Sequence, residues 1–305
     1  MYKVLIIIVL IQLCACKYFN ENENEIIMDV DFKKQNDSIT NNNYKNSDST
    51  INVAVSAMIS PKETFKYYRE IFDYLSKKIN RKIILKQRKT YGEVNQMLEN
   101  GQVDLAFICS GAYVNEDDKK NIDLLLVPLC NNKPYYQAYV IVNKNSGINH
   151  FGDLYCKSFA FTDPLSNTGC LYAKKLLKDN KVTGEGFFSK LVYTYAHDAS
   201  IQLVQKNIID GATIDGLIFE YLKTYYPDRV SNIRILEKSE LFGIPPIVTS
   251  KYINSDIKNK IKNELLLMHN DSVGIQILKK LLINKFELGN DSNYNSIRKF
   301  KKIIN

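Results

Sequence analysis

Segments typical of strands and of helices alternate along the chain from residue 51 onwards. The apolar stretches "INVAVS", "KIILKQ" and "VDLAFI" are typical of strands, and amphipathic stretches such as "PKETFKYYREIFDYLSKKIN" between them are typical of helices. A second alternating series runs from "SFAF" to "GLIFEYLKTYY". This alternation predicts α/β domains built on parallel sheets. With 305 residues and 45% hydrophobic content, the chain can form two such domains.

Two extended β-rich segments, near residues 138–144 and 243–249, separate the two series. We therefore predict two lobes connected by two crossings. Residues 51–142 and 248–305 form the first lobe, and residues 143–247 form the second. A cleft between two lobes is a natural place for a ligand.

The first sixteen residues are typical of a secretory signal. Lys3 precedes the uncharged run "VLIIIVLIQL", which is too short to span a bilayer. The run ends in "LCAC", which resembles the lipobox of bacterial lipoproteins and implies that Cys16 becomes the lipidated N-terminus. We predict a lipid-anchored protein on the extracytoplasmic face of the membrane, with plain secretion as the alternative. Residues 17–50, rich in Asn, Asp, Glu, Ser and Lys, predict a flexible tether.

The composition argues against several classes of function. The net charge of +8 comes from lysines spread along the chain, without the stripe of basic and aromatic residues that a nucleic-acid-binding face requires. We find no Walker loop or catalytic signature, and the three histidines, His150, His197 and His269, lack metal-ligand spacing. We therefore predict no cofactor, no metal and no nucleic-acid partner. Four cysteines, Cys109, Cys130, Cys156 and Cys170, are compatible with either free thiols or disulfides.

The stretch "TDPLSNTG", residues 162–169, lies between a predicted strand and a predicted helix. In an open α/β sheet, ligands bind at the carboxyl ends of strands, where the next helix presents free N–H groups and the positive end of its dipole. Ser166, Asn167 and Thr168 fall at such a point and can cap the helix or donate to an oxyanion. Gly169 lets the backbone approach a ligand. An ordinary capped helix would explain the stretch equally well.

Three further residues follow strands of the first lobe. Ser56 and Met58 come after the first strand of the series, and Ser110 comes after the third. Because the carboxyl ends of parallel strands share one edge of a sheet, we expect all three to face the cleft.

Five patches of the chain, in this order, resemble the phosphonate-binding proteins of ABC importers, a family that also includes phosphite and phosphate binders. The patches are "VDLAFICSGAYV", "IVNKNSGINHFGDL", "DPLSNTG", "HDASIQLVQKNIIDGAT" and "GIPPIV". The resemblance covers roughly residues 51–300. It implies a two-lobed α/β fold of the periplasmic-binding-protein (Venus-flytrap) type, with a two-segment hinge. It also implies a small oxyanion in the cleft and an ABC permease with its ATPase as partners.

The resemblance assigns roles to individual residues. Ser166 and Thr168 stand where the family binds phosphoryl oxygens, and Asn167, in place of a common Thr or Ser, would donate through its amide. The remaining matches are the cleft histidine His197, the cleft tyrosines Tyr136 and Tyr113, and Asp215 at a strand end that faces the cleft. Asp215 can equally be the cap of the following helix.

Two departures from the family bear on the ligand. Members that bind aminoalkyl phosphonates pair the ligand's ammonium with acidic side chains, and two of those positions are Leu217 and Pro245 here. Because an unpaired ammonium in a closed cleft is costly, we do not expect an aminoalkyl phosphonate. The family's "Gp" after the third strand is Cys109-Ser110, with Gly111 one place later. The resemblance therefore does not identify which residues of the first lobe contact the ligand.

These observations predict a monomeric, lipid-anchored solute receptor that closes over a small phosphorus oxyanion and delivers it to a permease. The alternatives are a sensor lipoprotein of the same fold with another solute, and a hydrolase with Ser166 as nucleophile and His197 as base. We favour a binding protein over an enzyme because only the anion-binding turn itself could serve as an oxyanion hole.

Overall fold

The structure, a computed structural model, describes residues 27–30, 50–115 and 121–304. The predicted signal, Cys16 and most of the predicted tether lie outside these residues. Within the described ranges, none of the helices combines the length and the apolar character that a membrane crossing requires.

The described residues form two α/β lobes. The strands, in chain order, are β1 (Ile27–Val30), β2 (Thr50–Val55), β3 (Lys82–Gln87), β4 (Leu105–Phe107), β5 (Ile122–Leu129), β6 (Tyr135–Tyr136), β7 (Ala138–Asn143), β8 (Ser158–Phe161), β9 (Lys190–Tyr193), β10 (Gly211–Asp215), β11 (Ile233–Lys238), β12 (Phe242–Gly243), β13 (Ile247–Ser250) and β14 (Lys285–Leu288). The helices are α1 (Pro61–Ile79), α2 (Tyr91–Glu99), α3 (Ser110–Val114), α4 (Tyr172–Asp179), α5 (Gly184–Phe187), α6 (His197–Gln205), α7 (Gly216–Tyr225), α8 (Ser255–Leu267), α9 (Ser272–Lys280) and α10 (Asn295–Ile304).

Each lobe is built on its own sheet. The first has the strand order β1-β3-β2-β4-β13-β5-β14, and the second has the order β11-β7-β10-β8-β9. The prediction of parallel sheets is confirmed for the α/β repeats but is wrong for β7, β13 and β14, which run antiparallel to their neighbours. Strands β7 and β13 arrive from the other lobe, so they start at the cleft edge where the parallel strands end.

The two crossings lie side by side. Strands β6 and β12 pair antiparallel, with Tyr136 opposite Phe242, and form a two-stranded link between the lobes. The predicted boundaries at 142 and 248 are therefore shifted: β7, assigned to the first lobe, belongs to the second sheet, and β13 starts at Ile247. The error arose because β7 is a continuous apolar run, which does not reveal which sheet it joins.

The C-terminal helix α10 also departs from the predicted division. Ile297 and Phe300 pack in one buried cluster with Tyr172 of α4, so the end of the chain contacts the second lobe as well as the first. The predicted tether is also wrong in one part, since β1 pairs parallel with β3. An edge strand offers unpaired backbone N–H and C=O groups, and "IMDV" provides a strand that satisfies them.

Helix α1 shows how the sequence pattern builds the first lobe. Tyr68, Phe72 and Leu75 lie on the predicted apolar face, and all three pack with the core beneath the sheet. Burial of a large apolar side chain contributes about 1.5–3 kcal/mol, so this stripe holds α1 in place. Ser60, the residue before the helix, is thereby positioned at the cleft.

Candidate ligand site between the lobes

The stretch "TDPLSNTG" forms a tight turn between β8 and the helix that follows. Ser166 caps that helix, because its Oγ accepts the N–H of Gly169 at 3.0 Å. The carbonyl of Ser166 accepts both the Cys170 N–H and the Leu171 N–H, and residues 167–171 form a π-helical turn before α4. Such turns are rare and are often found at functional sites.

Gly169 is required by the packing around this turn. A Cβ at this position would lie 1.8 Å from the Thr162 Oγ1 and 2.9 Å from the Cε1 of His197. The glycine therefore allows the histidine ring to lie directly against the turn.

Backbone contacts fix the orientation of the His197 ring. Its Nδ1 accepts the backbone N–H of Asp215 at 3.0 Å, and its own backbone N–H donates to the Met58 carbonyl at 2.9 Å. Complete burial lowers the pKa of His197 to about 3, so the ring is neutral at ordinary pH. Because Nδ1 is an acceptor, the single ring proton lies on Nε2.

The His197 ring and the Ser166 hydroxyl contact each other at the site. The His197 Nε2 lies 3.5 Å from the Ser166 Oγ, which also accepts the Gly169 N–H. With its proton on Nε2, the ring is the donor in this long contact, and the hydroxyl proton is left for another acceptor. An oxyanion beside the pair would be a stronger acceptor for both protons.

The first lobe and the hinge supply a second group of donors. The Ser110 Oγ lies 2.5 Å from the Tyr136 hydroxyl, and the Asn167 Nδ2 donates to that hydroxyl at 3.4 Å. Burial raises the pKa of Tyr136 well above its usual range, so the phenol keeps its proton. The cluster thus joins residues from α3, β6 and the turn.

The turn has three buried polar atoms without a hydrogen-bond partner within the described residues, Thr162 Oγ1, Asn167 Oδ1 and Thr168 Oγ1, and Ser56 Oγ after β2 is a fourth. All four residues are fully buried. Each unpaired group costs about 1–3 kcal/mol. Unpaired buried groups in one region indicate a place where a ligand or water completes the bonding.

Most of the predicted site residues come together in this region. Asp215 is the cap of α7, since its carboxylate accepts the Leu217 N–H at 2.7 Å, and its backbone N–H orients His197; a contact of its side chain with a ligand stays a prediction. Burial raises the pKa of Asp215 to about 7. The structure places Tyr113 elsewhere, since its hydroxyl donates to Asp291 at 2.7 Å and its ring packs on Tyr294. A tyrosine motif by itself could not reveal this competing acidic partner.

The departure after the third strand does not remove the first lobe from the site. A Cβ on Gly111 would lie 2.3 Å from the Leu165 carbonyl oxygen and 2.7 Å from the Asn167 nitrogen. Helix α3 therefore packs directly on the turn of the second lobe. Burial raises the pKa of the neighbouring Cys109 thiol, which stays neutral.

Two aspartates that sequence reasoning did not assign to the site join the lobes. The Asp163 Oδ2 accepts the Tyr91 N–H at the start of α2 at 3.0 Å, and its Oδ1 accepts the Leu165 N–H within the turn. The carboxylate of Asp198, in the first turn of α6, accepts the backbone N–H and the hydroxyl of Ser60 at 2.9 and 2.7 Å. Capping signals around Ser60 and Asp198 are local and do not reveal that their partner lies in the other lobe.

We also compared the positions of the residue types that can ligate a metal and of the cysteines in the described part of the chain. In the described part of the chain, His, Cys, Asp and Glu side chains do not group in a way that could hold a metal ion. Cys109, Cys130, Cys156 and Cys170 are free thiols, of which only Cys156 is exposed.

Two α/β lobes, two crossings and an enclosed cluster of donors define a two-lobed α/β protein with a candidate ligand site between its lobes. The family model described as "ABC transporter, phosphonate, periplasmic substrate-binding protein" matches residues 53–294, and the chain belongs to this family. Membership implies an extracytoplasmic location.

Individual relatives agree with this assignment. The phosphonates-binding periplasmic protein of Escherichia coli (strain K12) is 26% identical over 193 residues, which cover 61% of this chain and 56% of the relative's own length. A binding protein component of an ABC phosphonate transporter from Pseudomonas aeruginosa has a TM-score of 0.79 at 20% identity, covering 84% of this chain and 86% of that structure. PhnD1 from Prochlorococcus marinus (MIT 9301), in complex with methylphosphonate, has a TM-score of 0.75 at 17% identity, covering 83% and 97%. These similarities to solved structures show the fold.

Proposed function

We propose that this protein is the solute-binding lipoprotein of an ABC importer and binds a small phosphorus oxyanion, a phosphonate, phosphite or phosphate, between its lobes. The observation that carries the proposal is the buried convergence of donors from both lobes and the hinge. Ser166 and His197 contact each other in the second lobe, with Thr168 in the same turn. Ser110 of the first lobe bonds the Tyr136 hydroxyl, to which Asn167 also donates, and the unpaired Ser56 hydroxyl is buried at the end of β2.

The site suits an anion although every donor identified in it is uncharged. Hydrogen bonds to a charged acceptor are about twice as strong as bonds between neutral groups, and exclusion of water strengthens them further. The first turn of a helix adds free N–H groups and the positive end of the dipole. Closure of the lobes would therefore couple binding of the anion to a change of shape that a permease can recognise.

The geometry argues against the hydrolase alternative. A serine nucleophile needs a base that can accept its proton. In this structure, the Nδ1 of His197 accepts the Asp215 N–H, so the Nε2 that faces Ser166 already carries the ring proton. The pair can donate two hydrogen bonds to a ligand but is not arranged for proton abstraction.

Thermal unfolding of the full-length protein tests the ligand class. The unfolding temperature would be measured with phosphate, phosphite, methylphosphonate, sulfate and buffer alone. A ligand present at a hundred times its dissociation constant adds about 2.7 kcal/mol to the free energy of unfolding. We expect a rise with at least one phosphorus oxyanion and a much smaller rise in Ser166→Ala. No rise with any phosphorus compound would contradict the proposal.

The transport role and the anchor need separate tests. Deletion of the gene should abolish uptake of the labelled ligand by intact cells, whereas normal uptake would favour the sensor alternative. A Cys16→Ser variant should leave the membrane fraction while its ligand affinity is unchanged. Retention of that variant in the membrane would contradict the proposed lipid anchor.

A further inference from the structure

A cavity of about 130 Å³ lies between the lobes beside His197. Met58 and Asp215 form part of its wall, and both contact His197 through their backbones. Most of the remaining wall is apolar, as shown by Tyr68, Phe107, Leu217, Ile244 and Pro245. The cavity is thus a mostly apolar space that adjoins the two residues holding the His197 ring.

The size and lining of this cavity favour an apolar occupant. An apolar cavity of about 150 Å³ stays free of water and accepts a molecule as large as benzene. A cavity of about 130 Å³ has room for a short alkyl chain or a phenyl ring.

Three carboxylates border the cavity, and two of them are fully engaged. The Asp198 carboxylate accepts two hydrogen bonds from Ser60 and lies 3.8 Å from Arg229, and Asp215 caps α7. The Oε1 of Glu63 lies 3.7 Å from the same guanidinium, whereas its buried Oε2 has no hydrogen-bond partner among the described residues. A cationic substituent would have to compete with Ser60, Arg229 and the α7 N–H groups for two of the carboxylates, and Glu63 is the one against which the inference must be tested.

We infer that this cavity is the subsite for an uncharged alkyl or aryl group on the phosphorus of the ligand. This inference rests on the proposed function, because the phosphoryl oxygens must be held by the adjacent donor cluster. The site would then distinguish its ligands at both ends, by donors for the oxyanion and by the apolar wall for the substituent. Leu217 and Pro245 are central to this specificity because they border the cavity without a charge.

Binding of a homologous series by the full-length protein tests the inference. Isothermal titration would compare methyl-, n-butyl-, phenyl- and 2-aminoethylphosphonate with inorganic phosphate. Each buried methylene should lower Kd about fourfold, so the butyl compound, with three more methylenes, should bind about 60-fold more tightly than the methyl compound. The aminoethyl compound should bind more weakly than the butyl compound.

The series separates failure of the inference from failure of the proposed function. If phosphate or methylphosphonate binds but affinity does not increase toward butyl or phenyl, the subsite is refuted and the anion site stands. Tighter binding of the aminoethyl compound than of the butyl compound would also refute it and would assign the carboxylates to an ammonium. If no phosphorus compound binds, both proposals fail.

Two substitutions at one position test where the substituent lies. Leu217→Phe fills the cavity and should weaken butylphosphonate at least about tenfold more than methylphosphonate. Leu217→Glu should weaken the butyl compound and strengthen the aminoethyl compound. Leu267→Glu, at an exposed apolar position outside the cavity lining, is the matched control and should change neither affinity. An unchanged order of affinities in both Leu217 variants would overturn the assignment.

Discussion

The hydroxyl of Thr168 allows the ligand role of the turn to be separated from its structural role. Thr168 is fully buried, and its Oγ1 has no hydrogen-bond partner within the described residues. Thr168→Val removes this hydroxyl and keeps the branched shape of the side chain. A hydrogen bond to a charged group is worth about 1.5–3 kcal/mol, so Kd for the oxyanion should rise about 10- to 150-fold.

Stability of the ligand-free protein should respond differently. Since the hydroxyl gives up no protein partner, its removal should leave the unfolding temperature unchanged or raise it by up to roughly 4 °C. Titration calorimetry gives the affinity, and thermal unfolding without ligand gives the stability. For Thr168→Val we therefore expect a higher Kd together with an unfolding temperature that is not lowered.

Thr249→Val is the matched control for this experiment. Thr249 is also buried with an unpaired Oγ1 in the described part of the chain, but it lies in β13 away from the turn. Its substitution should leave Kd unchanged. Two results would contradict a ligand role of the Thr168 hydroxyl. One is that Thr168→Val destabilises the ligand-free protein without weakening binding, and the other is that both variants weaken binding equally.

Three further changes have directions set by the structure. Gly111→Ala should raise Kd about 10- to 100-fold without lowering the unfolding temperature, because its Cβ would clash with the Leu165 carbonyl of the other lobe. An unchanged affinity would contradict the contact between Gly111 and Leu165 in the ligand-bound protein. Asp198→Asn should raise Kd about 5- to 30-fold because it weakens the bond to Ser60 of the other lobe. Asp210→Asn breaks the same type of bond to a serine inside one lobe, so it should lower only stability. Equal effects of the two variants on Kd would exclude a role of Asp198 in closing the lobes. Burial raises the pKa of Asp215 from 3.8 to about 7, so ionisation costs stability as pH rises through this window. Asp215→Asn should flatten that fall in unfolding temperature between about pH 4 and pH 7, and an unaltered pH profile would show that the carboxylate is not desolvated.

The local part of this architecture could be predicted from the sequence. The alternation of strands and helices, the apolar face of α1 and the cap at Ser166 depend on residues that are close together in the chain. Periodicity and capping are local properties, so they indicate the α/β class and the strand-to-helix turn directly. Membership in the family likewise followed from short patches in the right order.

The tertiary structure decided how these parts meet. It assigned β7 to the sheet of the second lobe, directed Tyr113 to Asp291 and paired β1 with β3. It also placed the Asp215 N–H against the His197 ring, which fixes the ring proton on Nε2. These outcomes depend on contacts between residues far apart in the chain, and such contacts leave no periodic signal in the sequence. The donor cluster and the apolar cavity exist only because the two lobes are packed together.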